Sequence, residues 1–181
     1  ERGWGGELAL VTVDAMLGMG DLDQAESVLK QLLGSRHKRI LTVFFQSSQV
    51  EIHFLRDELS RATALSSKVL ESAAEFRTAH QEDNLEFARI AADVRLIEGE
   101  LVPAWREVET LWAAPNIVPG VAYRLFATGS EALAMARRMG QDLPGITFGD
   151  AERRLWESFE SVAIWDIAED WRALLRAELS G

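Results

Sequence analysis

The sequence predicts an all-α fold, a right-handed stack of four to five antiparallel helix pairs. A short motif recurs three times: an acidic residue, a leucine, and an alanine three positions after the leucine. Its copies are Asp21-Leu22-x-x-Ala25, Asp57-Glu58-Leu59-x-x-Ala62 and Glu100-Leu101-x-x-Ala104. The leucines lie 37 and 42 residues apart, and a period in this range is typical of stacked helix pairs. Around each copy, apolar residues recur at steps of three and four, as they do in amphipathic helices.

The first helix pair is predicted over residues 7–34. Gly18-Met19-Gly20 should end its first helix, because glycine is the usual residue at a helix C-terminus. Asp21 is placed to cap the second helix, where a carboxylate is favoured by the positive end of the helix dipole. Gly34-Ser35 should end that second helix.

The second pair is predicted over 40–76 and the third over 84–113. Residues 40–45 have the composition of a strand, but their place in the repeat predicts a helix. A glycine precedes the first and third copies of the motif, as Gly20 and Gly99, whereas Arg56 stands in that place before the second copy.

A fourth pair is predicted over 121–162, and a helix over 164–179 would begin another pair. Residues 113–120 and 142–149 are loops by composition, since both segments are rich in the residues that break helices. The alanines of the motif should lie where two helices approach closely, because a larger side chain would not fit there.

Bulk composition predicts a single domain over residues 1–181, which we interpret as a fragment of a longer protein because it begins with Glu1. The chain lacks cysteine, so it can form neither disulfides nor thiolate metal sites, and this fits a cytoplasmic protein. No apolar run approaches the ~20 residues of a membrane span, and we expect no membrane contact. The net charge of −10 argues against direct nucleic-acid binding by this segment, because such binding requires cations to neutralise phosphates.

Two stretches carry a family resemblance. The turn Gly20-Asp21-Leu22-Asp23-Gln24-Ala25 resembles the turn and small-residue position of a tetratricopeptide repeat. The tail from Trp165 through Trp171 to Leu179, taken with the loose repeats, resembles the helical-repeat region of large bacterial ATPase regulators of the LuxR/MalT type.

In that family an ATPase precedes the repeats and a helix-turn-helix DNA-binding domain follows them, while the repeats bind an inducer or a partner protein. The resemblance therefore implies a tetratricopeptide-like superhelix that acts as the ligand- or protein-binding sensor domain of a bacterial transcriptional regulator. The phosphate-loop and helix-turn-helix motifs of the family are not in this sequence, so the resemblance carries over no functional residue.

A second function remains open, that of a stand-alone tetratricopeptide-like adaptor for protein–protein interaction without an attached DNA-binding domain. An enzyme is disfavoured, because the sequence contains no catalytic motif, and we predict no catalytic residue and no cofactor. We also predict no metal site, since none of the three histidines has a second histidine four residues away on a helix.

Candidate binding residues follow from the predicted topology. In helical arrays the first helix of each pair lines the concave surface, so polar residues on those helices should face a groove. They are Asp14, Gln46, Gln49, Arg89, Asp93, Tyr123 and Arg124. The expected occupant is a protein partner or a small-molecule inducer, and the exposed repeat ends would also allow homo-oligomers.

Five of the six tryptophans lie in the second half of the chain, at positions 105, 112, 156, 165 and 171. Tryptophan buries a large apolar area and is also favoured at interfaces and in ligand pockets. We interpret these residues as core between helix pairs. Trp165 and Trp171 are six residues apart and do not share one face of a straight helix, so we expect one of them to be exposed to the next repeat or a partner.

Overall fold

A computed structural model describes residues 4–74, 81–113, 119–164 and 166–180. Its helices are, in chain order, α1 (Trp4–Gly18), α2 (Leu22–Leu33), α3 (Arg39–Leu55), α4 (Leu59–Ala73), α5 (Gln81–Ile97), α6 (Leu101–Val108), α7 (Thr110–Ala113), α8 (Pro119–Met139), α9 (Phe148–Val162) and α10 (Ala168–Ser180). Within the described ranges β-pairing is limited to an isolated bridge between Leu143 and Ile146. The all-α prediction is confirmed. The predicted end of the second pair at Phe76, and Trp165, lie outside the described residues.

Local sequence signals place several helix ends. The side chain of Asp21 caps α2 by accepting a hydrogen bond from the backbone N–H of Gln24 at 3.4 Å. Gly34 is the C-terminal cap of the same helix. Residues 40–45, which resemble a strand in composition, lie within α3, as their place in the repeat predicts.

The three copies of the motif form the same turn. Each turn contains a residue with positive φ, and the next N–H donates to the carbonyl five residues back, as in a Schellman motif. These bonds are Asp21 N to Met16 O at 2.9 Å, Glu58 N to His53 O at 2.8 Å, and Glu100 N to Arg95 O at 2.8 Å. The repeat seen in the sequence is therefore a repeat of backbone geometry.

The structure corrects which residue replaces glycine in the second turn. Asp57 has a φ of +58° and takes the place of Gly20 (φ +77°) and Gly99 (φ +74°). Arg56 precedes it, with its guanidinium bound to Glu26 at 2.9 Å and also to Asp23, both on α2. The sequence alone suggested that Arg56 replaces the glycine, because two acidic residues, Asp57 and Glu58, precede Leu59 and both were assigned to the motif.

Asp57→Gly should stabilise the protein, because glycine adopts a positive φ without the steric cost that Cβ imposes. We expect the free energy of unfolding to rise by ~0.5 kcal/mol, since the greater freedom of glycine in the unfolded chain offsets part of the gain. Chemical denaturation measures the change. Gly20→Ala is the matched control, since it adds a Cβ at φ +77° in the same turn geometry and should destabilise the protein. Destabilisation by Asp57→Gly would contradict this account.

The start of α9 resembles the helix starts of the three motif copies, although its sequence lacks the acidic residue and the leucine. Thr147 caps α9 by accepting from the N–H of Asp150 at 3.1 Å, so α9 begins at Phe148, inside the segment 142–149 that was predicted to be a loop. Phe148 and Ala151 occupy the positions that leucine and alanine hold in the other copies. Ala151, like Ala25, Ala62 and Ala104, has no exposed surface.

The chain forms two compact units, Glu1–Phe76 and Arg77–Gly181. In unit 1, α1 packs against α2 and α3, α2 against α3, and α3 against α4. The buried core cluster of this unit is formed by α1, α2 and α3 and contains Val13, Leu17, Ala25, Leu29, Leu41, Phe45 and Ile52.

In unit 2 the long helix α8 packs against α5, α6, α9 and α10, and α5 also packs against α6. Gly129 permits this close packing, because a Cβ there would lie 2.9 Å from Val108 Cγ1 and 3.0 Å from Leu155 Cδ1. The final helix, α10, begins at Ala168 rather than at the predicted residue 164, since a turn at residues 166–167 precedes it. In unit 2, therefore, α5 and α10 both pack against α8.

Candidate functional site

Charged side chains meet between α5 and α8 in unit 2. Glu86, Arg89 and Asp93 follow one another at steps of three and four residues, so they share one face of α5. Arg89 donates from Nη2 to Glu86 Oε1 at 2.6 Å and from Nε to Glu86 Oε2 at 3.2 Å. Its Nη1 donates to Asp93 Oδ2 at 3.0 Å. Arg89 therefore binds both carboxylates, one of them through a two-pronged contact.

Helix α8 completes this group through Thr128 and Arg124. Thr128 Oγ1 donates to Asp93 Oδ1 at 2.8 Å, a contact between residues 35 positions apart. Only 7% of the Arg89 side chain is exposed, against 19% for Glu86 and 20% for Asp93. We call Glu86, Arg89, Asp93, Arg124 and Thr128 the α5–α8 cluster.

The electrostatics of the cluster keep Glu86 ionised. Desolvation alone would raise the pKa of the Glu86 carboxyl, but the charge and hydrogen bonds of Arg89, with the charge of Arg124, outweigh it. The pKa therefore lies below its ordinary value of 4.5. Enclosing these charges is costly, so removal of any one partner would leave another charge enclosed and unpaired.

Glu131 lies on α8 at the acidic edge of the cluster. Desolvation raises the pKa of Glu131, as do the carboxylates of Asp93 on α5 and Glu178 on α10, while Arg138 opposes the rise. Glu131 is nevertheless an exposed residue. The exposed Glu131 carboxylate thus lies within electrostatic range of two others, those of Asp93 and Glu178.

Glu131→Gln should raise the melting temperature at neutral pH. A carboxyl whose pKa is raised by folding destabilises the folded state when it ionises, and glutamine removes that cost. The gain should be small, because the residue is exposed, and it should vanish as the pH falls below about 4.5, the ordinary pKa. Thermal unfolding at pH 7.5 and pH 4 measures it. Glu157→Gln, at an exposed position of α9, is the control, and an equal gain from that variant would contradict the expectation.

The structure divides the predicted groove residues between the two units. Asp14 is exposed on α1, while Gln46 and Gln49 are half-buried on α3, all in unit 1. Arg89 and Asp93 are joined in the α5–α8 cluster. Arg124 is half-buried on α8 and acts on Glu86 through its charge. The predicted groove as a whole stays a prediction.

Tyr123 was predicted to line the groove, but it lies in the core of unit 2 with 1% of its surface exposed. Its hydroxyl donates to the carbonyl of Val162 at 3.0 Å. Its ring packs against Phe159 and Trp171, with centroid distances of 5.6 and 5.8 Å. Tyr123 thus ties α8 to α9 and α10, and we exclude it from the candidate site.

The sequence analysis did not identify two members of the α5–α8 cluster, Glu86 and Thr128, nor Glu131 beside it. The spacing of Glu86 from Arg89 and Asp93 was a usable signal, because residues three and four apart are neighbours on a helix. Thr128 gave no such signal, since its partner Asp93 belongs to another helix.

The described residues contain no group of three or more His, Asp or Glu side chains placed to hold a metal ion. Among them, too, every helix is either too short or too polar to cross a membrane. No protein-family model, curated protein or solved structure gives a significant match to this chain.

Proposed function

We propose that this chain is a ligand- or protein-binding helical-repeat domain whose recognition surface is the α5–α8 cluster with Glu131. One observation carries the proposal: an arginine and two carboxylates, largely removed from water, lie where two helices pack. Apolar side chains of similar volume often stabilise such a position as well or better. An ion network here is therefore better explained by recognition than by stability.

The repeated turns support the same proposal. Helices α5 and α8 are the first helices of the third and fourth predicted pairs, and they pack side by side in unit 2. In stacked helix pairs, neighbouring first helices form the surface that binds partners. The geometry common to the turns at Gly20, Asp57 and Gly99 is what such a repeat requires.

Charge reversal on the recognition surface tests this function. The probe is the protein or small molecule that co-purifies with the full-length product of the gene. Glu131→Lys should weaken its binding at least tenfold, about 1.4 kcal/mol, because it places a cation where we expect the partner's cation. Glu157→Lys is the matched control, since it makes the same change at an exposed position of α9. Equal affinities for both variants and the wild type would overturn the assigned surface.

The regulatory role is a further part of the proposal and rests on the sequence resemblance. We propose that the domain is the cytoplasmic sensor of a bacterial LuxR/MalT-type transcriptional regulator. The sequence of the intact gene tests this role. A phosphate-loop ATPase upstream and a helix-turn-helix domain downstream would support it, whereas a short reading frame without them would favour the stand-alone adaptor.

A further inference from the structure

Helix α1 is apolar on two opposite faces. One face packs against α2 and α3 and enters the core of unit 1. The other carries Leu8, Val11 and, just past the helix end, Met19, which are 65%, 65% and 75% exposed. Exposed Ala15 lies between them at the same helical steps, and we call these four residues the outer stripe of α1. A helix that is apolar all round is normally covered on all sides.

The outer stripe does not have the character of a terminal surface. Thr12 lies within it, but its Oγ1 donates to the carbonyl of Leu8 at 2.9 Å, so the hydroxyl is bound to the backbone of its own helix. The end repeat of a helical array needs a polar outer face to stay soluble. The outer stripe is therefore the kind of surface that lies between two repeats.

The packing within each unit indicates what covers such a surface. In unit 1 the second helix of the first pair, α2, packs against α3, which begins the next pair. In unit 2, α6 packs against α8 in the same way. Helix α1 is also the first helix of a pair. Its equivalent partner is the second helix of a preceding pair, which by the same order lies before α1 in the chain.

The equivalent positions on other helices are buried. Leu8 lies twelve residues before the positive-φ residue of its turn, and the residues at the same place on α3 and α5 are Phe45 and Phe87. Neither phenylalanine has exposed surface. Val11 corresponds in the same way to Ile90 on α5, which also has no exposed surface. The repeat thus covers these positions wherever it continues on both sides of the helix.

The charges beside the outer stripe restrict its partner. Glu7 and Asp14 carry the charges of α1 and lie along one edge of the stripe, since they are seven residues apart. Two copies of the chain paired antiparallel through α1 would place these carboxylates opposite each other, and facing like charges oppose association. Lysine or arginine on the partner helix would instead neutralise them.

We propose that the outer stripe of α1 is the docking surface for an amphipathic helix that precedes α1 in the same polypeptide and ends a further helix pair. The apolar face of that helix covers the outer stripe, and its lysine or arginine side chains lie beside Glu7 and Asp14. The proposal rests on the helix-pair repeat of the proposed function, but it does not depend on the α5–α8 cluster or Glu131.

Photo-crosslinking of the full-length gene product tests the docking surface. A benzophenone amino acid at position 8 should cross-link within one polypeptide to a segment before Glu1, which mass spectrometry identifies. That segment should have apolar residues at steps of three and four, flanked by lysine or arginine. The same amino acid at position 31, which is exposed on α2, is the matched control and should not cross-link there. Equal products from both positions, no product, or a cross-link to another copy, to another protein or to a segment without flanking cations would overturn the proposal.

Val11→Asp separates apolar docking from mere proximity. Val11 is exposed, so the variant should leave the thermal unfolding of residues 1–181 unchanged, yet it should remove most of the cross-linking from position 8. Leu174→Asp, at an exposed position of α10, is the matched control and should leave the cross-linking unchanged. Undiminished cross-linking in Val11→Asp, or equal loss in both variants, would overturn the docking. Glu131→Lys should not alter the cross-link, so failure of this surface and failure of the proposed recognition surface are distinguishable.

Discussion

Arg89→Met should lower the free energy of unfolding by ~3 kcal/mol at neutral pH. Removing one partner of a buried ion pair typically costs ~3–5 kcal/mol, because the other charge is left enclosed and unpaired. Arg89 is the counter-charge of both Glu86 and Asp93, which keep about a fifth of their surface in water. We therefore expect the lower end of that range, measured by urea denaturation at pH 7.

The matched control is Arg95→Met on the same helix. Arg95 pairs with Glu98 and Glu100, but all three side chains are well exposed. Exposed ion pairs contribute ~0–1 kcal/mol, so this variant should lose far less stability than Arg89→Met. Equal losses from the two variants would contradict the greater enclosure of the ion pairs in the α5–α8 cluster.

The effect of Arg89→Met should also depend on pH. A carboxyl whose pKa is lowered by folding contributes stability that is present above its ordinary pKa and is lost as the pH falls through the folded value. For Glu86 that ordinary value is 4.5. The difference between wild type and Arg89→Met should therefore shrink as the pH is lowered from about 5 to 3. A difference that stays constant over this range would exclude Glu86 as its source.

Ala104→Leu should destabilise the protein by ~1–3 kcal/mol, the usual cost of overpacking a core. Ala104 lies in the first turn of α6 and has no exposed surface, so the larger side chain cannot be accommodated without displacing a neighbouring helix. The same change at Ala25, Ala62 and Ala151 should act similarly, because those alanines hold the equivalent position. Thermal unfolding measures each effect.

Ala173→Leu provides the control for this series. Ala173 is exposed on α10, and surface substitutions usually change stability by less than ~0.5 kcal/mol. If none of the four buried alanine variants loses more stability than Ala173→Leu, the proposed repeat register is wrong.

Local patterns in the sequence were sufficient for most helix ends. Helix periodicity, the cap at Asp21 and the glycines at the turns act through hydrogen bonds between residues a few positions apart. The start of α9 inside the predicted loop at 142–149 is an exception, because the sequence analysis did not recognise the cap at Thr147, although its partner Asp150 is only three residues away. The repeat at α9 was harder to recognise, because Phe148 replaces leucine and a loop precedes it.

The candidate site depended much more on tertiary structure. Topology placed Arg89, Asp93 and Tyr123 together as groove residues, yet the first two form an enclosed ion network and the third lies in the core. A sequence shows which residues share one face of a helix, but it does not show which neighbouring helix covers that face. The packing of α5 and α10 on α8 decides that burial.

The sequence by itself determined that the protein is all-α and where most of its helices begin and end, because those features arise from short-range hydrogen bonds and side-chain periodicity. Only the tertiary structure decided that Thr128 reaches Asp93, that Asp57 adopts the backbone conformation of a glycine, and that Arg154 lies over Trp112. Two of these contacts join separate helices of unit 2, and the third reflects how the turn closes. The two contacts between helices are fixed by packing, to which distant parts of the chain contribute.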